Sequence, residues 1–259
     1  MSEYEFVEVE RNERLTFITI NRPEVYNALH PPAHFEFDNV FNEFASDPDQ
    51  WIAIITGAGD RAFSAGNDLK YQAAGGSRER PDTGFAGLTN RFDLNKPVIA
   101  AVNGYAMGGG FEIALACDLI VASENAVFAL PEPRVGLAAL AGGLHRLPRM
   151  IPQKQALGMI LTGRRVTADE GEQLGFVNEV TKPKELLSAA RRWADQILEC
   201  SPMSIRASKQ SVHQGLTEPK LENAMRTVYP AVQSLYDSSD FIEGPLAFSE
   251  KRAPKWKAE

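Results

Sequence analysis

Residues 96–122 read KPVIAAVNGYAMGGGFEIALACDLIVA. Lys96-Pro97 leads into a short apolar run, residues 98–102, that reads as a buried strand. Asn103 and Gly104 end it, and three consecutive glycines, Gly108, Gly109 and Gly110, open a segment that predicts a helix over residues 109–116. Further strands are expected over residues 120–122 and, after a short turn, over residues 127–130. Strands alternating with helices require crossover connections, which places the chain in the α/β class.

The same pattern extends toward the N-terminus. Residues 6–20 alternate and carry β-branched side chains, with a hairpin turn near Asn12, and Asn21-Arg22-Pro23 stops the second strand. Residues 32–45 read as a helix with Phe35, Val40, Phe41 and Phe44 on one side. Asp47-Pro48-Asp49 breaks it, and WIAIIT at residues 51–56 is another short buried strand, followed by a loop holding Gly57 and Gly59. Residues 73–87 are glycine-rich and charged and read as a mobile surface loop. From Pro202 onward no strand is apparent, and helices are expected over residues 203–214, 221–236 and 244–251. The chain therefore divides into an α/β core, residues 1–201, and a helical region, residues 202–259, suited to docking or assembly.

Composition narrows the function. The 259 residues contain 44% hydrophobic and 24% charged side chains, an ordinary balance that disfavours disorder, collagen and coiled coil. Lys+Arg 27 against Asp+Glu 34 leaves a net charge of −7 without a long basic run, which argues against nucleic acid and against a polybasic membrane contact. Cys117 and Cys200 are far apart and give neither a disulfide framework nor metal-ligand spacing. The acidic start, Met1-Ser2-Glu3-Tyr4-Glu5, is unlike a signal peptide, and no apolar stretch is long enough to span a bilayer. A soluble, cytoplasmic protein is expected.

Three features carry chemistry. Residues 62–68, AFSAGND, follow a buried strand, and their small side chains let backbone N–H groups approach a ligand; alone they read as a tight turn. The glycine run at 108–110 opens an amphipathic helix, where amide N–H groups and the positive helix end can hold an oxyanion, or simply permit close helix–strand packing. It lacks the Lys-Ser/Thr of a phosphate loop and the GxGxxG spacing of a dinucleotide site. Glu112 lies inside that apolar helix, and Glu132 sits among apolar and proline residues 20 positions later. A helix, a turn and a strand can bring both to one pocket, where two carboxylates adopt different protonation states. The alternative is one glutamate paired with Arg134 and the other partly exposed.

Along nearly its whole length the chain resembles the enoyl-CoA hydratase/isomerase (crotonase) superfamily. The resemblance rests on Asn21-Arg22-Pro23 with Asn27-Ala28-Leu29, residues 62–68, residues 96–110 with Glu112, Cys117-Asp118, Pro131-Glu132, Leu161-Thr162-Gly163, Gly175-Phe176-Val177 and Glu250-Lys251-Arg252. Within it, residues 242–248 (IEGPLAF), with residues 63–66 and 128–132, are most similar to the carnitinyl-CoA dehydratase branch. The resemblance implies a spiral of ββα units with a C-terminal helical trimerisation region, assembling as a homotrimer or dimer of trimers. It implies an enoyl-CoA hydratase, a hydro-lyase of fatty acid metabolism that adds water reversibly to a 2-enoyl-CoA thioester. By resemblance, the Ser64 and Gly109 amides form the oxyanion hole and Glu112 and Glu132 are the acid/base pair. Acyl-CoA contacts are implied for Val25, Ala62, Ala65, Gly66, Asn67, Asp68, Leu69, Tyr105, Gly108, Pro131, Leu140 and, from a neighbouring subunit, Lys251; Arg252 beside it reads equally as a solvated basic tail. No metal and no cofactor is implied, since coenzyme A enters as part of the substrate.

Two departures bear on the substrate. The chain has Ala129-Leu130-Pro131-Glu132 where many hydratases read Gly-Gln-Pro-Glu, and Ala139-Leu140-Ala141-Gly142-Gly143 where they read Pro-Gly-x-Gly-Gly. Leu140 is therefore expected to add bulk beside the water site. Other reactions open to the same site are carnitinyl-CoA dehydration, double-bond isomerisation and thioester hydrolysis, and a non-catalytic acyl-CoA-binding protein is the remaining alternative.

Overall fold

A computed structural model describes residues 4–259. β1 (Val7–Asn12) and β2 (Leu15–Ile20) form an antiparallel hairpin in which Val7 faces Ile20, and Glu13 takes the turn with φ 54°. α1 (Pro31–Ser46) starts on a proline, whose fixed φ and missing N–H suit the first helical position. It buries Phe37, Val40, Phe41 and Phe44 on one face. Phe35 is not on that face: it is 43% exposed, because the helical repeat groups Phe37 with Phe41 and Phe44 and turns Phe35 away.

Three repeats follow, each a strand of a long sheet and then a short strand of a second sheet. They are β3 (Ile52–Gly57) and β4 (Ala62–Ser64), followed by α2 (Leu69–Ala73); β5 (Val98–Val102) and β6 (Tyr105–Met107), followed by α3 (Gly109–Ala116); and β7 (Leu119–Ser123) and β8 (Val127–Ala129), followed by a short turn of helix at Glu132–Val135. Then come α4 (Gly143–Met150), α5 (Gln153–Thr162), β9 (Val166–Thr167), α6 (Ala168–Leu174), β10 (Glu179–Thr181) and α7 (Leu186–Leu198). The long sheet has the order β1-β2-β3-β5-β7-β10 and is parallel beyond the hairpin; the second has the order β4-β6-β8-β9. This is the α/β spiral of ββα units that the sequence leads one to expect. β5 is buried at every residue, consistent with its unbroken apolar run. Phe111, Phe128 and Phe176 pack ring to ring at 5.1–5.2 Å and seat α3 against β8.

Several elements differ from the sequence reading. β4 and β6 occupy stretches that read as glycine-rich turns, because three-residue strands are too short to display a period of two. Residues 73–87 are not surface throughout: the short helical turn Phe85–Gly87 at their end is buried. The single helix expected over residues 221–236 is two, α9 (Leu221–Arg226) and α10 (Pro230–Tyr236), since Pro230 starts a new helix. The last helix, α11 (Ser239–Ser249), begins upstream of residue 244, where the Ser238 hydroxyl accepts the Phe241 N–H at 3.3 Å as a cap.

The chain forms two compact units, one of residues up to Arg91 with Val98–Arg192, the other of Phe92–Pro97 with Trp193–Glu259. In the second unit α8 (Pro202–Gly215) meets α10 through the Gln210 side-chain oxygen, which accepts the Ala231 N–H at 2.7 Å. The C-terminal segment is tied down there by Trp256, whose ring N–H donates to the Glu199 carbonyl at 2.9 Å, and by the Lys257 N–H, which donates to Asp240 at 2.9 Å. Among the described residues no helix is long and apolar enough to cross a membrane.

Candidate active site

β4, β6 and β8 run parallel, with Ser64 beside Ala106 and Met107 beside Ala129. Their carboxyl ends therefore lie along one edge, the place where parallel sheets gather ligand-binding groups. From that edge the chain continues into residues 65–68, into Gly108 and α3, and into Leu130-Pro131-Glu132. The Gly108 N–H donates to the Ala129 carbonyl at 2.9 Å, joining two of the three exits.

The glycine run lets these segments touch. A Cβ on Gly108 would stand 2.9 Å from Glu132 Oε1, one on Gly109 2.5 Å from Phe85 Cζ, and one on Gly110 2.0 Å from the Ser64 carbonyl oxygen. Each glycine thus admits a different neighbour: a carboxylate, an aromatic ring and a strand backbone. Gly109 is the first residue of α3, and an N–H at that position has no acceptor within its own helix. Ser64 is fully buried, its hydroxyl donating to the Asn27 carbonyl at 2.8 Å and accepting the Gly66 N–H at 3.1 Å. That side chain is committed to holding the turn, which leaves the backbone as the part of Ser64 able to serve a ligand.

The Asn21–Leu29 motif has a structural task. Asn27 donates from its side chain to the carbonyls of Ala58 (3.0 Å) and Ala62 (2.7 Å) and accepts the Arg22 N–H at 3.0 Å. The Leu29 N–H donates to the Gly66 carbonyl at 2.7 Å, and the Asp68 N–H to the Leu29 carbonyl at 2.8 Å. Asp68 caps α2 by accepting the Tyr71 N–H at 3.1 Å and pairs with Arg22 at 3.1 Å. Turn 64–68 is therefore fixed before any ligand arrives.

Glu112 is 3% exposed and its Oε1 accepts the Gly143 N–H at 2.9 Å. Burial pushes its carboxyl up to about 7, the neighbouring Glu132 charge adds to this, and the amides of Gly143 and Ala141 and the charge of Arg80 pull it back. Glu132 is also raised, by burial, and its Oε2 is buried with no hydrogen-bond partner. A buried carboxylate oxygen without a donor is what a water or substrate group would complete. Arg134 does not pair with Glu132; its side chain donates to the Thr162 carbonyl at 2.9 Å.

Ser64, Gly108, Gly109, Glu112, Pro131 and Glu132 are brought together on this edge. Ala62 is buried in β4, Ala65, Gly66, Asn67 and Asp68 form the adjoining turn, and Leu69 opens α2 with its side chain exposed. Val25 lies in the short helical turn Pro23–Val25, and Tyr105, in β6, is partly exposed beneath Arg165 at 5.8 Å. Leu140 is 76% exposed, and the chain just after it reaches Glu112 through the Gly143 N–H. Lys251 belongs to the second unit, where it is exposed, and Arg252 is engaged by Glu243 and Glu250 at 2.6 Å each. Phe85, the Gly143 amide and Arg80 carry no local sequence signal, because their roles arise between residues 24 to 32 positions apart in the chain. Among the described residues no cluster could hold a metal ion.

The profile of a family described as enoyl-CoA hydratase/isomerase matches residues 10–259. A carnitinyl-CoA dehydratase of Escherichia coli K12 is 46% identical over 262 residues, covering 98% of each chain. Among solved structures, an enoyl-CoA hydratase from Mycobacterium marinum superposes with a TM-score of 0.92 at 36% identity, covering 98% of this chain and 99% of that one. A carnitinyl-CoA hydratase from Mycobacterium avium gives 0.78 at 41% identity, with the same coverage.

Two outcomes test this geometry. Gly110→Ala drives a methyl into the Ser64 carbonyl and should destabilise the protein by about 1–3 kcal/mol in chemical denaturation, whereas Gly158→Ala, where a Cβ meets nothing within 4 Å, should be neutral or stabilising. Equal effects would contradict the close approach. Glu112 carries a folded-state value of about 7 against an ordinary 4.5, so its stabilising protonation is complete below about 4.5 and is lost as pH rises through 7. The gain in Tm from Glu112→Gln should therefore be larger at pH 8 than at pH 5; a gain independent of pH would contradict the raised value.

Proposed function

The chain belongs to the enoyl-CoA hydratase/isomerase family, and from that premise we propose that it is an enoyl-CoA hydratase, a hydro-lyase adding water reversibly across C2 and C3 of a 2-enoyl-CoA. The observation that carries this reading is the adjacent pair of raised carboxylates, Glu112 and Glu132, the second with an oxygen buried and unpartnered.

In the proposed reaction the amides of Ser64 and Gly109 receive the thioester oxygen. Charge builds on that oxygen as water attacks C3, so the donors bind the transition state more tightly than the ground state, and each is worth about 3–4 kcal/mol. Glu112, ionised, takes the proton of the attacking water while its oxygen bonds to C3. Glu132, protonated, delivers its proton to C2, and the electron pair of the double bond passes through the enolate to form the C2–H bond. Raised carboxylates suit both tasks near neutral pH, since one proton shared by two close acids leaves one base and one acid. Dehydration runs through the same groups in reverse, which is the sense named for the Escherichia coli relative.

Coenzyme A enters as part of the substrate, its adenine against the backbone of residues 65–69 and its phosphates met by Lys251. Residues 202–259 supply the assembly surface of a homotrimer or paired trimer, which would bring Lys251 to a neighbouring site.

Purified protein given crotonyl-CoA and a panel of larger 2-enoyl-CoAs should remove the enoyl absorbance and yield products heavier by one water. Glu112→Gln and Glu132→Gln should each lower kcat by about a hundredfold or more. Unchanged mass, free coenzyme A or binding without product would favour isomerisation, hydrolysis or a non-catalytic role, and near-normal turnover by either variant would refute the paired mechanism.

A further inference from the structure

Arg80 lies in the loop between α2 and the buried turn Phe85–Gly87, its guanidinium 5.1 Å from the centre of the Phe85 ring. Phe85 is the ring that fills the space over Gly109, and it also packs against His34 at 4.3 Å. Arg80, Phe85 and Gly109 are thus in succession, and the Arg80 charge is close enough to act on Glu112. Among the described residues Arg80 makes no hydrogen bond and no ion pair.

A cavity of about 50 Å³ opens beside it, lined among others by His34, Asn67, Asp68, Arg78, Glu79 and Arg80. Its two acids and two arginines sum to zero, but they are not all paired with one another. Asp68 is taken by Arg22 at 3.1 Å, and the carboxylate that shares a field with the Arg80 cation is the buried Glu112. His34 adds no second charge: it is 1% exposed, burial and the nearby Arg80 lower it to about 3, and its Nδ1 accepts the Ala86 N–H at 3.1 Å. With Nδ1 an acceptor, the neutral ring carries its proton on Nε2 and is a donor there.

We propose that Arg80 sets the charge preference for the acyl group, favouring chains that end in a carboxylate and turning away chains that end in a quaternary ammonium. The proposal rests on the acyl-CoA reading of the site. An unpaired guanidinium stacked on an aromatic ring is poorly screened and offers a planar fork to a carboxylate, while it repels a cation placed beside it. Carnitinyl thioesters carry a trimethylammonium group, so identity of 46% to a protein named for that substrate does not extend to its acyl selectivity.

Calorimetric titration of the full-length protein with three saturated thioesters tests this directly. They are glutaryl-CoA, the neutral 5,5-dimethylhexanoyl-CoA, and 4-(trimethylammonio)butanoyl-CoA, which has the same shape as the second and differs by one positive charge. The cation should bind about tenfold more weakly than its neutral isostere or worse, and glutaryl-CoA should be the tightest. Arg80→Gln should shrink both differences, Arg80→Glu should invert the order, and Arg80→Lys should restore it, which a merely structural role would not do. Equal binding of the two isosteres by the wild type, or an unchanged order in Arg80→Gln, would overturn the proposal. Turnover of crotonyl-CoA and the panel of larger 2-enoyl-CoAs on the same sample separates the two claims. Turnover without the charge order refutes the role of Arg80 alone, the charge order without turnover refutes hydration alone, and failure to bind any thioester refutes both.

Discussion

At Gly108, Gly109 and Gly110 three parts of the chain come closer to a helix start than any side chain would allow. The Glu132 carboxylate, the Phe85 ring and the Ser64 backbone stand 2.9, 2.5 and 2.0 Å from where a Cβ would be, the last a carbonyl that cannot swing aside. Because α3 begins there, its unbonded N–H groups and positive end face the end of β4 rather than solvent. Because Glu112 lies in the first turn of the same helix, its carboxyl is carried to the side where β8 delivers Glu132. Remove the close approach and the three exits of the second sheet no longer share one site.

That arrangement places two acids where neither is well solvated. A buried carboxylate is costly unless it is protonated or hydrogen-bonded. Glu112 receives the Gly143 and Ala141 amides, yet burial and Glu132 still hold it at about 7. Glu132 keeps one oxygen without any donor. The surrounding core tolerates this strain: Phe111, on the residue before Glu112, is locked between Phe128 and Phe176, so the helix cannot rotate to hydrate the acid. Local instability at the carboxylates is thus imposed by packing one residue away.

Much of this was legible in residues 96–122. Val98–Val102 is apolar throughout because it is buried throughout, and the apolar flanks of Glu112 betrayed its burial. Residues whose task depends on distant partners were not legible. Ser64 and Met107 end three-residue strands, recognisable only when paired with each other's neighbourhood. Phe85 sits in a charged, glycine-rich stretch that resembles surface, and nothing local says that its ring covers Gly109. Leu140, expected to add bulk beside the water site, is 76% exposed. Asn27, one of the residues that carry the family resemblance, is a bracket for β4 and its turn, a task its local sequence does not reveal.

The proposed reaction is one chemical event, the delivery of a proton to C2 and of a water oxygen to C3 by two neighbouring carboxylates. Mass and NMR analysis of the product formed from crotonyl-CoA in water labelled with deuterium and oxygen-18 observes that event directly. The expected product carries a single deuterium at C2 and the heavy oxygen at C3. Deuterium at C4 without oxygen uptake, or oxygen-18 in a free carboxylate, would contradict the account.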